Sequence, residues 1–219
     1  MENVKQYVID YIEGRVSSKE FLSALSRDKT IVEWLQSIVP EGKIGHYEMI
    51  TREDGTWYQR TGPYTVRETL FNIWKTGGQV EKEFDTQYCI GHLVQQAFPN
   101  DKIVIDDTLE KKYNFLLEAC PDYLCSIDIE ESGILENLME EFPESMPKSK
   151  RIKEFRSKIR SMFYVEGQKY PHWIQESEWP MSKTGKPTKY LRQKSKGEVT
   201  FYYFLDVDTG EEIEIMQAY

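Results

Sequence analysis

The sequence predicts an α+β protein, in which a mostly helical body is followed by a small antiparallel β unit that ends in a hairpin. Two observations support this prediction. Apolar residues recur every three or four positions through most of the first 165 residues, as on the buried faces of helices. After residue 198 the pattern changes to β-branched and aromatic residues, followed by alternation of apolar and polar ones. We therefore predict two regions, 1–165 and 166–219.

The N-terminal stretch has the pattern of short amphipathic helices. Ser17–Glu20 is a capping box, in which the serine and glutamate side chains bond to exposed backbone N–H groups at a helix start. Thr65–Glu68 repeats this pattern, and Gly77 is expected to end the helix that follows it. Residues 41–64, rich in Gly and Thr, are predicted to form a long loop with a short strand at 47–50. The helix after Thr65 is predicted to bury Val66, Leu70, Ile73 and Trp74.

Three segments complete the predicted helical body. A longer helix is expected over 85–98, because Pro99 cannot continue it. Residues 102–106 are predicted to be a short strand or an extended crossing. The apolar residues of 109–120 then repeat with helical spacing up to Pro121.

Charge is segregated by sign near the end of this body. Residues 121–147 carry eight acidic side chains and no Lys or Arg, whereas 148–160 carries seven basic side chains and one acid. The simplest interpretation is two packed helices whose charged rims attract each other. A basic amphipathic helix can also lie on a membrane surface. The acidic neighbour favours internal neutralisation instead, so we expect no membrane partner.

The C-terminal region is predicted to be a β unit. Residues 199–205 and 211–216 are expected to pair as a hairpin around an Asp- and Gly-containing turn at 206–210. A preceding strand is predicted at 189–193. Before it lies a segment with two tryptophans and several prolines, and we expect both tryptophans to be largely buried where helices and strands meet.

Composition excludes several classes of function. The net charge of −9 repels phosphate backbones, so we predict no nucleic-acid ligand. Three cysteines are too few, and odd in number, for a disulfide framework. This low count favours a reducing compartment. The chain shows neither a signal peptide nor an apolar run long enough to cross a bilayer. We therefore expect a cytoplasmic protein.

A structural metal site is the first chemistry to consider. Cys89 and His92 are spaced to share one helical face, and Cys120 with Cys125 could complete a Cys3His zinc tetrahedron. The spacing matches no known zinc knuckle, and cysteine is often buried without metal. We expect no zinc and no other metal, although a structural zinc domain remains an alternative.

Catalytic motifs are incomplete. The chain lacks the G-x-S-x-G elbow of a serine nucleophile. Residues 184–188, Thr-Gly-Lys-Pro-Thr, place a proline where a phosphate loop needs Ser or Thr, so no nucleotide cofactor is predicted. The remaining alternative is an enzyme whose site combines His46, His92 or His172 with scattered acids.

Two segments resemble known proteins. They contain Trp34–Pro40 and, near the end of the chain, Pro171–Pro180 with Gly185-Lys186-Pro187, Gln193 and Tyr202–Phe204. These residues are similar to uncharacterised bacterial cytoplasmic proteins, some of which are associated with polymorphic toxin systems as immunity proteins. The order of the Trp-Pro, Gly-Lys-Pro and Gln elements also resembles the YwqG-like family. The resemblance implies a non-enzymatic intracellular binding protein.

We therefore predict a protein-binding protein without a cofactor, one form of which is an immunity protein that neutralises a basic toxin. An acidic surface suits a basic partner because complementary fields steer their encounter. Glu136, Glu140 and Glu144 are expected to form an outward ridge at i, i+4 and i+8 of one helix. With Trp173 and Trp179, they are the predicted partner-binding residues.

Overall fold

The computed structural model describes residues 2–39, 47–51, 57–61, 65–75, 77–167 and 169–219. The chain divides into two compact units, Met1–Tyr113 and Asn114–Tyr219. The fold class is α+β as predicted, with a mainly helical chain before a three-stranded antiparallel sheet. The change from helix to strand near residue 165 falls inside the second unit. The division into regions 1–165 and 166–219 stays a prediction.

The first unit is mainly helical. It contains α1 (Glu2–Ile12), α2 (Ser18–Arg27), α3 (Lys29–Ile38), α4 (Val66–Lys75) and α5 (Gln79–Ala97), the hairpin strands β1 (Tyr47–Thr51) and β2 (Trp57–Thr61), and the start of α6 (Thr108–Ala119). The strand predicted at 47–50 is present, whereas β2 was not expected. Helix α5 begins six residues before the predicted start, because its charged first turn carries little apolar signal. Residues 102–106 form an extended crossing, in which Asp106 N donates to Ile12 O at 2.9 Å.

Both predicted capping boxes start helices. Ser17 Oγ accepts from Glu20 N at 3.2 Å before α2. Thr65 Oγ1 accepts from Glu68 N at 3.1 Å, and the Glu68 carboxylate accepts from Thr65 N at 2.7 Å before α4. Each bond satisfies a backbone donor that a helix start leaves without an intrahelical partner.

The core of the first unit forms where α1, α3 and α5 pack together. The rings of Tyr11 and Phe21 stack with their centroids 3.8 Å apart, and Leu35 and Val94 are fully buried beside them. Gly91 lets α5 approach the extended segment closely, since a Cβ there would lie 2.7 Å from Ile105 Cδ1.

The second unit combines short helices with the sheet. It contains the end of α6, then α7 (Ser126–Glu131), α8 (Leu135–Glu141), α9 (Lys148–Met162), β3 (Lys189–Lys196), β4 (Val199–Leu205) and β5 (Glu212–Ala218). The strand order is β3-β4-β5, with both pairs antiparallel. The hairpin and its preceding strand are therefore present where they were predicted.

Trp179 joins helix α9 to the sheet. Its ring makes edge-to-face contacts with Phe163, which follows α9, and with Phe204 of β4, at centroid distances of 5.5 and 5.1 Å. Trp179 is 5% exposed, so its predicted burial is confirmed. Trp173 is only half-buried, although its ring packs 4.5 Å from Tyr202.

The acidic ridge does not lie on one helix. Leu135, Leu138 and Phe142 are buried as expected. However, α8 ends at Glu141, so Glu144 lies beyond it. Pro143 explains this end, because a proline disfavours helical backbone at the residue before it. The predicted ridge at i, i+4 and i+8 of a single helix is therefore wrong.

The basic helix α9 contacts the acidic segment through an ion pair and through a buried arginine. Lys158 and Glu141 form an ion pair at 3.1 Å. Arg151 is buried instead, with Nε donating to Phe142 O at 2.7 Å and its guanidinium 3.8 Å above the Phe115 ring. The predicted attraction therefore includes backbone carbonyl and aromatic contacts as well as charge pairing.

We expect Trp179→Ala to lower the free energy of unfolding by about 3–5 kcal/mol, because it removes a large ring from between helix and sheet. Trp173→Ala should cost less, since part of this ring is already exposed. Urea unfolding followed by circular dichroism measures both, with exposed Val207→Ala as the control. Equal stability of Trp179→Ala and wild type would contradict the core role.

Candidate functional site

A cleft of about 340 Å³ opens in the second unit between residues 122–125 and 171–177. Its wall includes Trp173, and we call it the Trp173 cleft. Its polar lining residues are Asp122, Cys125, His172, Gln175 and Ser177.

One carboxylate ties the two sides of this cleft together. Asp128 accepts from Cys125 N at 2.9 Å and from the Ser177 hydroxyl, both through Oδ2. Its Oδ1 accepts from Trp179 N at 3.2 Å. Asp128 is 8% exposed, and these donors offset part of the cost of burying its charge. Its part in the cleft is therefore structural.

Asp128 follows from a local pattern that the sequence analysis missed. Its carboxylate at the third position of α7 caps the backbone N–H of Cys125, as in a capping box with cysteine at the N-cap. An acid three residues after a helix start was a usable signal. Its contacts with Ser177 and Trp179 had no signal in the sequence.

The segment that carries the tryptophans is held by hydrogen bonds to the sheet. Gln217 Oε1 accepts from Ile174 N at 3.1 Å, and its Nε2 donates to Glu176 O at 2.8 Å. Tyr202 Oη donates to His172 O at 2.7 Å. Trp173 itself donates from Nε1 to Tyr123 O at 3.0 Å. These bonds fix the backbone of the cleft wall.

The cysteines are poor nucleophiles. Burial raises the pKa of the Cys125 thiol, which also lies 3.4 Å from the Asp128 carboxylate. Burial likewise raises the pKa of Cys120 to about 12 and that of Cys89 to about 11. A catalytic cysteine needs the opposite shift, from a neighbouring positive charge. The cleft therefore lacks an activated thiol among its described residues.

The four residues considered as zinc ligands are distributed over both units. Cys89 and His92 belong to the first unit, and Cys120 and Cys125 to the second. Within the described ranges, no group of three or more His, Cys, Asp or Glu side chains could hold a metal ion. The expectation that the protein binds no zinc stays a prediction.

The histidines of the enzyme alternative are also distributed. His46 lies outside the described residues, whereas His172 lines the Trp173 cleft. His92 lines a smaller pocket of about 200 Å³ with Asp106 and Asp107. Asp106 accepts from Thr108, and Asp107 pairs with a lysine one turn further on. These local partners give both acids a structural role.

Among the predicted partner-binding acids, Glu140 and Glu144 are exposed. Neither forms an ion pair with a described residue. Burial lowers the pKa of Arg151, and the negative charge of Glu144 opposes this shift. The side chain of Glu136 lies outside the described residues. The assignment of all five residues to a partner surface stays a prediction.

Comparisons with protein-family models, with curated proteins and with solved structures find no match to this chain. None of the described helices is both long and apolar enough to span a membrane. The resemblance to immunity proteins and to the YwqG-like family stays a prediction.

Asp128→Asn should lower the free energy of unfolding by about 1–3 kcal/mol at neutral pH, since it turns an amide N–H₂ toward donors. Burial raises the pKa of Asp128 above its ordinary value of 3.8, although its donors oppose that shift. The folded state thus holds this proton more tightly than the unfolded state does. The advantage of wild type over Asp128→Asn should shrink as pH rises from 3.8 through the raised pKa.

Denaturant unfolding at a series of pH values measures this difference. Ser177→Ala is the matched control, because it removes one donor and keeps the carboxylate. It should cost less, and its stability should still fall as pH rises, over a range extended to higher pH because the Ser177 hydroxyl no longer lowers the pKa of Asp128. An advantage over Asp128→Asn that grows with rising pH would show that burial does not dominate at Asp128.

Native cysteines should react slowly with iodoacetamide at pH 8, because burial raises the pKa of all three thiols. For Cys89, a pKa of about 11 in place of 9.0 leaves roughly a hundredth of the usual thiolate. Unfolding in urea should restore the ordinary rate at all three. Mass spectrometry of alkylated peptides separates Cys89, Cys120 and Cys125. A native Cys125 that reacts faster than a free thiol would favour the enzyme alternative.

Proposed function

We propose that this chain is a non-enzymatic cytoplasmic protein that binds a basic protein partner through the Trp173 cleft. In its specific form, it is an immunity protein that neutralises a basic toxin. The observation that carries this proposal is that Asp122 and Trp173 line the same cleft. Asp122 is exposed and has no ion-pair partner among the described residues.

An acid beside an indole suits a lysine or arginine side chain. The carboxylate pairs with the cationic group, and the ring attracts the same charge through its π face. Hydrogen bonds to Tyr123 and the sheet hold this wall in place before binding, which lowers the entropy cost of association. The cleft therefore fits a basic side chain that projects from a partner.

The chemistry of the cleft favours binding over catalysis. Its thiol has a raised pKa, whereas a cysteine nucleophile needs a lowered one. Its serine hydroxyl donates to Asp128, whose carboxylate already accepts from the backbone N–H groups of Cys125 and Trp179 and is held in a structural role. Exposed Glu140 and Glu144 add negative charge to the same unit and would steer a basic partner toward it.

A photocrosslinking amino acid in place of exposed Gln175 tests this proposal in cells of the organism that carries the gene. We expect one predominant crosslinked protein with a basic isoelectric point. Asp122→Asn should reduce its yield several-fold, and Glu140→Gln with Glu144→Gln should make association slower and less salt-dependent. Glu198→Gln, an exposed acid outside the cleft, is the matched control.

The captured protein then tests whether this chain is an immunity protein. Its expression in a heterologous bacterial host should be toxic, and co-expression of this chain should restore growth. A neutral or acidic partner, or a crosslink yield equally reduced by Glu198→Gln, would overturn the cleft proposal. A basic but harmless partner would retain binding and exclude the immunity role.

A further inference from the structure

The first unit contains a second concave surface that the proposed function does not use. It is an apolar groove of about 680 Å³ formed by α2, α3 and α4. Its apolar wall consists of Leu22, Leu25, Val32, Leu70, Phe71 and Trp74. We call this surface the α4 groove.

Helix α4 presents one regular face to this groove. Arg67, Leu70, Phe71 and Trp74 follow the i, i+3, i+4, i+7 spacing of neighbours on a helix surface. Phe71 is 68% exposed, and Trp74 is only half-buried. This face is thus incompletely covered by the described part of its own unit, and large exposed aromatic residues mark interaction sites.

The groove carries positive charge, whereas the net charge of the chain is negative. The protein has 37 acidic and 28 basic residues, yet the described residues that line the groove include three cations and no acid. These cations are Arg27 of α2, Lys29 of α3 and Arg67 of α4. All three are exposed, and none pairs with an acid in the described ranges.

We propose that the α4 groove binds an amphipathic helix of a partner protein whose apolar face is flanked by acidic residues. A helix laid in a groove inserts side chains at i, i+3, i+4 and i+7, which matches an open apolar trough. Arg27 and Lys29 flank the junction of α2 and α3, whereas Arg67 lies on α4, so the cations suit carboxylates on both sides of a bound helix better than one lipid headgroup. The exposed Phe71 also leaves the groove too open to enclose an acyl chain, since small-ligand sites bury about 70–90% of their ligand.

Two labelled 16-residue peptides test this proposal by fluorescence anisotropy with the full chain. Both carry Leu at i, i+3, i+4, i+7 and i+11, and they differ only in flanking Glu or flanking Lys. We expect the Glu peptide to bind at least tenfold more tightly than the Lys peptide. Equal affinities, or no binding of either peptide, would overturn the proposal.

A charge reversal locates the site. Arg67→Glu should lower the affinity for the Glu peptide at least tenfold and raise the affinity for the Lys peptide. The fold should be retained, because Arg67 is exposed and an acid is favourable in the first turn of a helix. Lys75→Glu is the control, since Lys75 is exposed on the same helix and does not line the groove. An equal effect of both reversals would show nonspecific attraction and overturn the proposal.

Two further measurements distinguish two other occupants of the groove. A sixteen-carbon fatty acid that displaces the Glu peptide and binds more tightly than it does would assign the groove to a lipid. Sedimentation that shows a dimer, abolished by Phe71→Glu, would assign it to a second copy of the chain. Either result overturns the partner-helix proposal.

Discussion

The second unit depends on the burial of one carboxylate with its donors. Asp128 lies on a short helix, and its bonds reach Ser177 and Trp179, which are 49 and 51 residues further along the chain. A helix of six residues is marginal by itself. Its position therefore depends on these tertiary bonds, and so does that of the Trp173 cleft. Losing the carboxylate would leave several buried donors without a partner, whereas losing one donor leaves the others in place.

The same network supports the recognition role proposed for the cleft. Two acceptors beside it are already engaged: Asp128 by three residues, and the Gln217 carbonyl by the backbone of Ile174 and Gln175. The groups that remain accessible are part of the Trp173 ring, the carboxylate of Asp122 and exposed polar side chains on a fixed backbone. Such groups bind a partner without the proton transfers that catalysis needs.

Local patterns predicted most elements of the fold. The hairpin of β4 and β5 was predictable because β-branched and aromatic residues, then alternation, flank a turn at 206–210 that contains Asp and Gly. Val66, Leu70 and Ile73 are buried at their predicted positions on α4. Two errors also have local causes. Gly133 has a φ of 69°, a conformation typical of a helix end. It separates α7 from α8, where the charge pattern had predicted one acidic helix. Pro143 then ends α8 before Glu144.

The candidate sites could not be predicted in the same way, because they depend on which residues the tertiary structure leaves uncovered. Trp74 was expected to be buried on α4, yet the packing of α2 and α3 leaves it half-exposed beside Phe71. Net charge was equally incomplete as a guide. A value of −9 indicates a basic partner for the whole chain, but electrostatic recognition acts over about 8–10 Å at physiological salt. Over that distance the α4 groove is cationic and the rim of the Trp173 cleft is acidic. On the two proposals made above, these surfaces select partners of opposite charge, and a single acidic protein presents both.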